Sequence, residues 1–232
     1  MRNKKFLKLI ALVAAASGVV ILFTTLYPII SYENKAAVEY PILLNPLVEA
    51  DSDKSTDQAD GDAYANVDYT NPRNWFVGAD YKTDQVSKVS FYNVSIPRLQ
   101  IKDATVEVGG EDLAKSLIQY PGTALPGKNG NTVIFGHSIL PQFYNPKNYL
   151  AIFSLLPTLK EGDEVEISYD GVNYRYQVTD LFEVLPTDLQ ILDQQTDDSY
   201  LTLVTCVPPG HPLKPRRLIV RAKVIRYENT GT

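Results

Sequence analysis

The 232-residue chain holds one cysteine, Cys206, and two histidines, His137 and His211, and nucleophilic chemistry near neutral pH would have to rest on them. A thiol attacks as its thiolate, so a working cysteine needs a base or a positive neighbour, usually an imidazole. His211 follows Cys206 closely, in a proline-rich loop, whereas His137 closes the run Phe135-Gly136-His137-Ser138 at a strand end, a firmer mount for a ring. Acyl transfer also needs donors where charge develops on a carbonyl oxygen. Arg216 and Arg217 head an apolar strand on opposite faces, so one can point at a site while the other meets solvent. Each signal also has a plainer reading. Free cysteine is among the most buried residue types, and paired arginines at a strand start often only keep a sheet edge soluble. A single cysteine excludes an internal disulfide and a multi-thiolate zinc site.

The elements that must position these groups read as mainly β. From about Val86 onward, Val94 and Ile96 alternate with polar positions, Pro97 interrupts, Leu99 and Ile101 resume, and Val106 and Val108 follow. That is a strand period with an edge or bulge at the proline. Leu113 and Leu117, four apart after Gly110, predict a short helix. The run Asn131 to His137 places Val133, Phe135 and His137 on one face, and Ile152 to Leu159 reads as a short helix or turn. Asp170-Gly171 lies between two alternating runs, a strong hairpin signal. Leu201 to Cys206 and Arg217 to Ile225 supply the last strands, joined through Pro208-Pro209-Gly210. Many short strands with few helices point to an antiparallel sandwich or a closed barrel. Neither a Gly-rich phosphate loop nor a dinucleotide fingerprint occurs.

Taken together, these motifs resemble a known family. Leu201-Thr202-Leu203-Val204-Thr205-Cys206, followed after about ten residues by Arg217-Leu218-Ile219-Val220-Arg221-Ala222, is similar to the cysteine and arginine strands of sortases. Asn131-Thr132-Val133-Ile134-Phe135-Gly136-His137-Ser138 resembles the family's histidine motif, and Ile96-Pro97 and Tyr120-Pro121-Gly122-Thr123 resemble its opening strand and pre-histidine loop. The resemblance covers about Val86 to Tyr227. It implies a closed eight-stranded β-barrel with short helices, and a transpeptidase in which Cys206 is the nucleophile and His137, not His211, the acid and base. Arg217, in preference to Arg216, would hold the substrate and the oxyanion, with Thr205 beside it as a further substrate contact. The implied substrate is a surface protein bearing a C-terminal signal similar to Leu-Pro-x-Thr-Gly, cleaved between Thr and Gly. The implied acceptor is an amine of a peptidoglycan precursor or a pilin. Some sortases bind calcium through loop acids, for which Asp163, Glu164 and Glu166 are the candidates, but acids beside a turn are commonly just solvated, and no metal or other cofactor is expected. Alternatives to the transpeptidase are an exported cysteine peptidase that uses water and a non-catalytic anchored binding module. An L,D-transpeptidase would place glycine where Thr205 stands.

The segment from Phe6 to Tyr27 is almost wholly apolar and long enough to span a bilayer core. Arg2, Lys4, Lys5 and Lys8 lie at its amino-terminal side, which the positive-inside bias keeps in the cytoplasm. The apolar run exceeds the core of a usual cleaved signal. The expected division is a cytoplasmic tail at 1–5, an anchor at 6–27, an extracytoplasmic linker at 28–85, a catalytic domain at 86–228 and a tail at 229–232. Within the linker, Asp51 to Asp62 is acidic and without a hydrophobic period, as in a solvated stalk. The aromatic cluster Tyr69, Trp75, Phe76 and Tyr81 either packs on the domain edge or forms a flap over a groove. Its Asn71-Pro72-Arg73-Asn74-Trp75 only loosely matches the Asp-Pro-aromatic flap motif of pilus-building sortases. The formal net charge of −5, with no basic stripe, excludes a typical nucleic-acid binder.

Overall fold

The computed structural model of the chain describes residues 2–39, 68–79, 89–194 and 196–225. Alternating apolar runs become eight strands: β1 (Phe91–Ile96), β2 (Ile101–Val108), β3 (Leu117–Gln119), β4 (Gly130–Phe135), β5 (Glu164–Tyr169), β6 (Val172–Val184), β7 (Ser199–Val207) and β8 (Arg216–Val224). They close into a barrel in the order β1-β2-β3-β4-β7-β8-β6-β5. Closure gives every strand a neighbour on both sides. Two of its pairings, β2 with β3 and β4 with β7, are parallel, so the barrel is not the purely antiparallel one that the alternation alone predicted. The hairpin at Asp170-Gly171 is present, and both residues adopt positive φ, as a tight hairpin turn demands. Pro97 starts a one-turn 3-10 segment that separates β1 from β2.

Leu113 and Leu117 do not share a helix. Asp112 folds the chain into a turn by accepting from the Ala114 and Lys115 sides, and Leu117 already belongs to β3. One turn of helix costs nucleation for almost no hydrogen bonds, while β2 and β4 offer β3 a ladder on both flanks. Ile152 to Leu159 is a series of turns ending in the 3-10 segment Leu156–Thr158.

Strand parity divides the apolar side chains into two cores. Ile134, Leu201, Leu203, Val207, Leu218 and Val220 fill the barrel interior. Val133, Phe135, Val204, Cys206 and Ile219, the alternate residues of the same strands, form a second core with Trp75, Phe76 and Leu113. The outer face of β4, β7 and β8 is therefore covered instead of solvated.

The amino-terminal helix α1 (Arg2–Glu39) is long and apolar enough to cross a membrane. It continues past residue 27, where a linker was expected to begin, because residues 28–39 find partners on the barrel. Tyr32 donates to Glu183 Oε1 at 2.5 Å, Glu33 pairs with Arg216 at 2.5 Å, and Ala36 joins the interior core. Residues 40–67 of the expected linker, including its acidic stretch, lie outside the described residues.

Gly136, between β4 and His137, is in a tight position: a Cβ there would come within 2.4 Å of Phe153 and 2.6 Å of Leu117. Overpacking of this kind costs about 1–3 kcal/mol. Gly136→Ala is expected to lower the urea unfolding free energy by that amount, measured against wild type by tryptophan fluorescence.

Candidate active site

The site is assembled by register. Parallel pairing sets Phe135 opposite Val204, and the Gly136 amide continues the ladder by donating to Val204 O at 3.1 Å. The Thr205 hydroxyl donates to Gly136 O at 2.8 Å, and the Ser138 hydroxyl donates to Cys206 O at 2.6 Å. These bonds straddle His137 and tie its main chain to that of Cys206. On the other side, the antiparallel register sets Cys206 directly opposite Arg217. His137, Cys206 and Arg217 thus occupy neighbouring strand ends, and their parity puts all three on the outer face of the sheet.

All three are buried. The segment 68–79 covers them. Trp75 stacks on Phe135 with ring centres 5.2 Å apart and lies 5.9 Å from the His137 ring. Its indole N–H donates to Tyr69 O at 2.8 Å, which closes the segment on itself. Arg217 donates through Nε to Trp75 O at 3.2 Å and through Nη1 to Lys214 O at 2.7 Å, and its guanidinium lies over both the Tyr69 and Trp75 rings. Further bonds from Val77 N to Pro186 O and from Leu113 N to Thr70 O fasten the segment to the barrel. Tyr69, Trp75 and Phe76 of the aromatic cluster therefore pack over this face of the barrel; Tyr81 is outside the described residues.

Burial sets the protonation states. The His137 imidazole is pushed down to about 4, first by desolvation and then by the Lys214 ammonium, against the smaller opposing pull of Asp68 and Asp112. Its Nε2 is buried without a hydrogen-bond partner among the described residues. The Cys206 thiol is pushed up by burial, which outweighs the neighbouring charges of Arg217 and Lys214. With the segment in place the pair is a neutral imidazole and a neutral thiol.

The other sequence candidates separate cleanly. His211 stays in its loop, where Nδ1 accepts from Leu213 N at 3.2 Å. Arg216 turns to the opposite face and pairs with Glu33 and Glu183. Thr205, expected as a substrate contact, is fully buried and spends its hydroxyl on Gly136, because neighbours on a strand point to opposite faces. Asp163, Glu164 and Glu166 do not converge: Asp163 accepts from Lys160 N and Glu164 pairs with Arg175. Among the described residues no three acids, histidines or cysteines gather as a metal site. Sequence reasoning missed Lys214, whose ammonium sits 4.6 Å from the Tyr69 ring centre. Its loop has no period from which a facing direction could be read.

The sortase domain model matches residues 94–225. The chain is 29% identical to sortase A of Bacillus anthracis over 62% of this chain and 70% of that one. It is 26% identical to sortase A of Streptococcus agalactiae over 60% of this chain, but spans only 53% of that relative. Among solved structures, sortase C of Streptococcus pneumoniae superposes with a TM-score of 0.51 at 30% identity, covering 61% of this chain and 72% of that one. The chain belongs to the sortase family, whose members are cysteine transpeptidases.

The depressed imidazole links stability to pH. A ring that binds its proton less readily folded than unfolded contributes fully above pH 6.5, and that contribution is lost as pH falls toward 4. Wild type is expected to lose up to about 3 kcal/mol more than His137→Gln across that window, measured by urea denaturation at each pH.

Proposed function

We propose that the chain is a membrane-anchored transpeptidase that cleaves a sorting signal similar to Leu-Pro-x-Thr-Gly between Thr and Gly and passes the acyl group to an amine. The observation that carries this reading is the convergence of Cys206, His137 and Arg217 on one face, held by main-chain register on both sides of Cys206. In the first half-reaction the Cys206 sulfur, having given its proton to His137, attacks the threonine carbonyl carbon. The C–N bond breaks, the imidazolium gives the proton to the departing amine, and a thioacyl enzyme remains. In the second, an incoming amine attacks the thioester, His137 takes its proton, and the sulfur leaves as thiolate. Arg217 Nε is a donor suited to the oxyanion in both halves, while Nη1 donates to the Lys214 and Arg216 carbonyls and fixes the guanidinium.

Segment 68–79 occupies the space that a substrate would take. Trp75 and Tyr69 spend the Arg217 cation on their own rings and on a backbone carbonyl. Its displacement frees Nε and the ring-covered face of the guanidinium, readmits water and lessens the burial that keeps the thiol neutral. On this reading the acceptor is a peptidoglycan-precursor amine or a pilin lysine; the S. pneumoniae sortase C structure is described in terms of pilin substrate specificity. The anchor is α1, with Arg2, Lys4, Lys5 and Lys8 on the cytoplasmic side and the barrel outside.

Mass spectrometry of the chain incubated with a Leu-Pro-x-Thr-Gly peptide, with and without an amine, tests the reaction. A thioacyl adduct on Cys206 that transfers to the amine is expected. Cys206→Ala abolishes it, His137→Ala lowers turnover at least about 100-fold, and Arg217→Ala lowers it about 100- to 1,000-fold. Release by water alone at high amine concentration would make the protein a peptidase, and no adduct with any signal peptide would contradict the enzyme reading. For the covering segment, Trp75→Ala is expected to speed iodoacetamide alkylation of Cys206 several-fold at pH 7. An unchanged rate would show that the segment does not guard the thiol.

A further inference from the structure

The contacts along α1 run in a definite order. Nearest the amino-terminal end, Gln142 Nε2 donates to Thr24 O at 3.1 Å, and Gln142 and Phe143 form one cleft with Ile21, Phe23, Thr24 and Tyr27. Next, Tyr27, Pro28 and Ser31 border Pro141 and Pro209. Beyond these, Tyr32 and Glu33 reach Glu183 and Arg216, and Lys35 borders Leu159, Lys160 and Leu181. Pro209 lies three residues beyond Cys206, and Pro141 opens the turn that follows His137. The outer end of the apolar span itself therefore touches the catalytic end of the barrel. Later turns of α1 touch residues progressively further down it.

Helix geometry converts this order into a depth. A hydrocarbon core of about 30 Å is crossed by about 20 helical residues, so a span starting at Phe6 ends near Thr25. Phe143, which shares a cleft with Thr24, is then level with the outer boundary of the hydrocarbon. Its side chain is 60% exposed, next to Phe23 at 65% and Tyr27 at 58%. A lone exposed phenylalanine needs no explanation in water. One held beside the emerging end of a membrane helix has an apolar phase within reach, and aromatic rings favour that boundary.

We propose that the barrel is seated on the outer surface of the bilayer with its catalytic end facing the lipid, and that the Pro141–Phe143 turn inserts Phe143 into the headgroup boundary. The occupant of this face is the lipid surface itself, because the face is continuous with the span. The seat rests on the reading of α1 as an anchor. It sets Cys206 close to the membrane plane, so a peptide still held by its own membrane segment presents its cleavage site at the height of the thiol.

The full chain carrying Cys206→Ala, with single cysteines introduced by Val13→Cys, Phe143→Cys or Val172→Cys, is labelled with an environment-sensitive fluorophore. Each protein is reconstituted into phosphatidylglycerol and phosphatidylethanolamine vesicles and quenched with spin-labelled lipid or aqueous iodide. Val172 starts β6, whose other end, Val184, pairs with Arg217; it is about 40 Å from the catalytic end. The expected result is lipid quenching at positions 13 and 143 at least threefold stronger than at 172. Lipid quenching at 13 with iodide access at 143 equal to that at 172 would overturn the seat and leave the anchor intact. Iodide access at all three would overturn the anchor reading, and the seat with it.

Discussion

The site depends on the parallel pairing of β4 with β7. A parallel ladder fixes residues on the two strands at constant relative height, and here it carries past the formal end of β4 through Gly136 N to Val204 O and Thr205 Oγ1 to Gly136 O. Those bonds decide that His137 and not Ser138 shares the face of Cys206. A one-residue slip would turn His137 into the barrel interior and bring a serine to the thiol. Gly136 permits the close approach of Phe153 and Leu117 beneath the turn, so the imidazole stands on a packed floor.

Burial of this face gives the site its resting chemistry. Catalytic cysteines are usually kept as thiolates by a positive setting, and Arg217 and Lys214 both supply such a field. Desolvation by burial overrides it, leaving a neutral thiol beside a neutral ring. The Tyr69 and Trp75 rings that pack on this face also hold the Arg217 guanidinium, and Tyr69 the Lys214 ammonium. The opposite parity of β8 serves a separate purpose: Arg216 lies between Glu33 of α1 and Glu183 of β6. Glu183 is buried, and its carboxyl is raised by desolvation even with Tyr32 and Arg216 beside it. Losing either partner of such a pair is costly, so adjacent arginines tie the Cys206 face and the amino-terminal helix to one strand.

Much of this was legible in the sequence. Period-two alternation placed Val133, Phe135 and His137 on one face, and the structure keeps them there; the Asp170-Gly171 turn and the arginine strand are likewise where the pattern put them. Motif resemblance chose His137 over His211 and Arg217 over Arg216, and the register sets the chosen residues on the face of Cys206. What could not be read was long-range. Parallel pairing of β2 with β3 has no local signal, which is why Leu113 and Leu117 looked helical. Thr205 has the right position in a motif but the wrong parity to face a substrate. The continuation of α1 to Glu39 depends on partners some 150 residues away in the chain, Tyr32 with Glu183 among them.

The central claim is that His137 and Cys206 share one desolvated site. Its most direct measurement is the nuclear magnetic resonance titration of histidine-labelled full-length protein in micelles, before and after Cys206 is capped with a small methylthio group. The account predicts an imidazole that titrates near 4 and whose resonances shift when the sulfur is capped, with His137→Gln used for assignment. A His137 that titrates at the ordinary value of about 6.5 and is indifferent to the cap would contradict it.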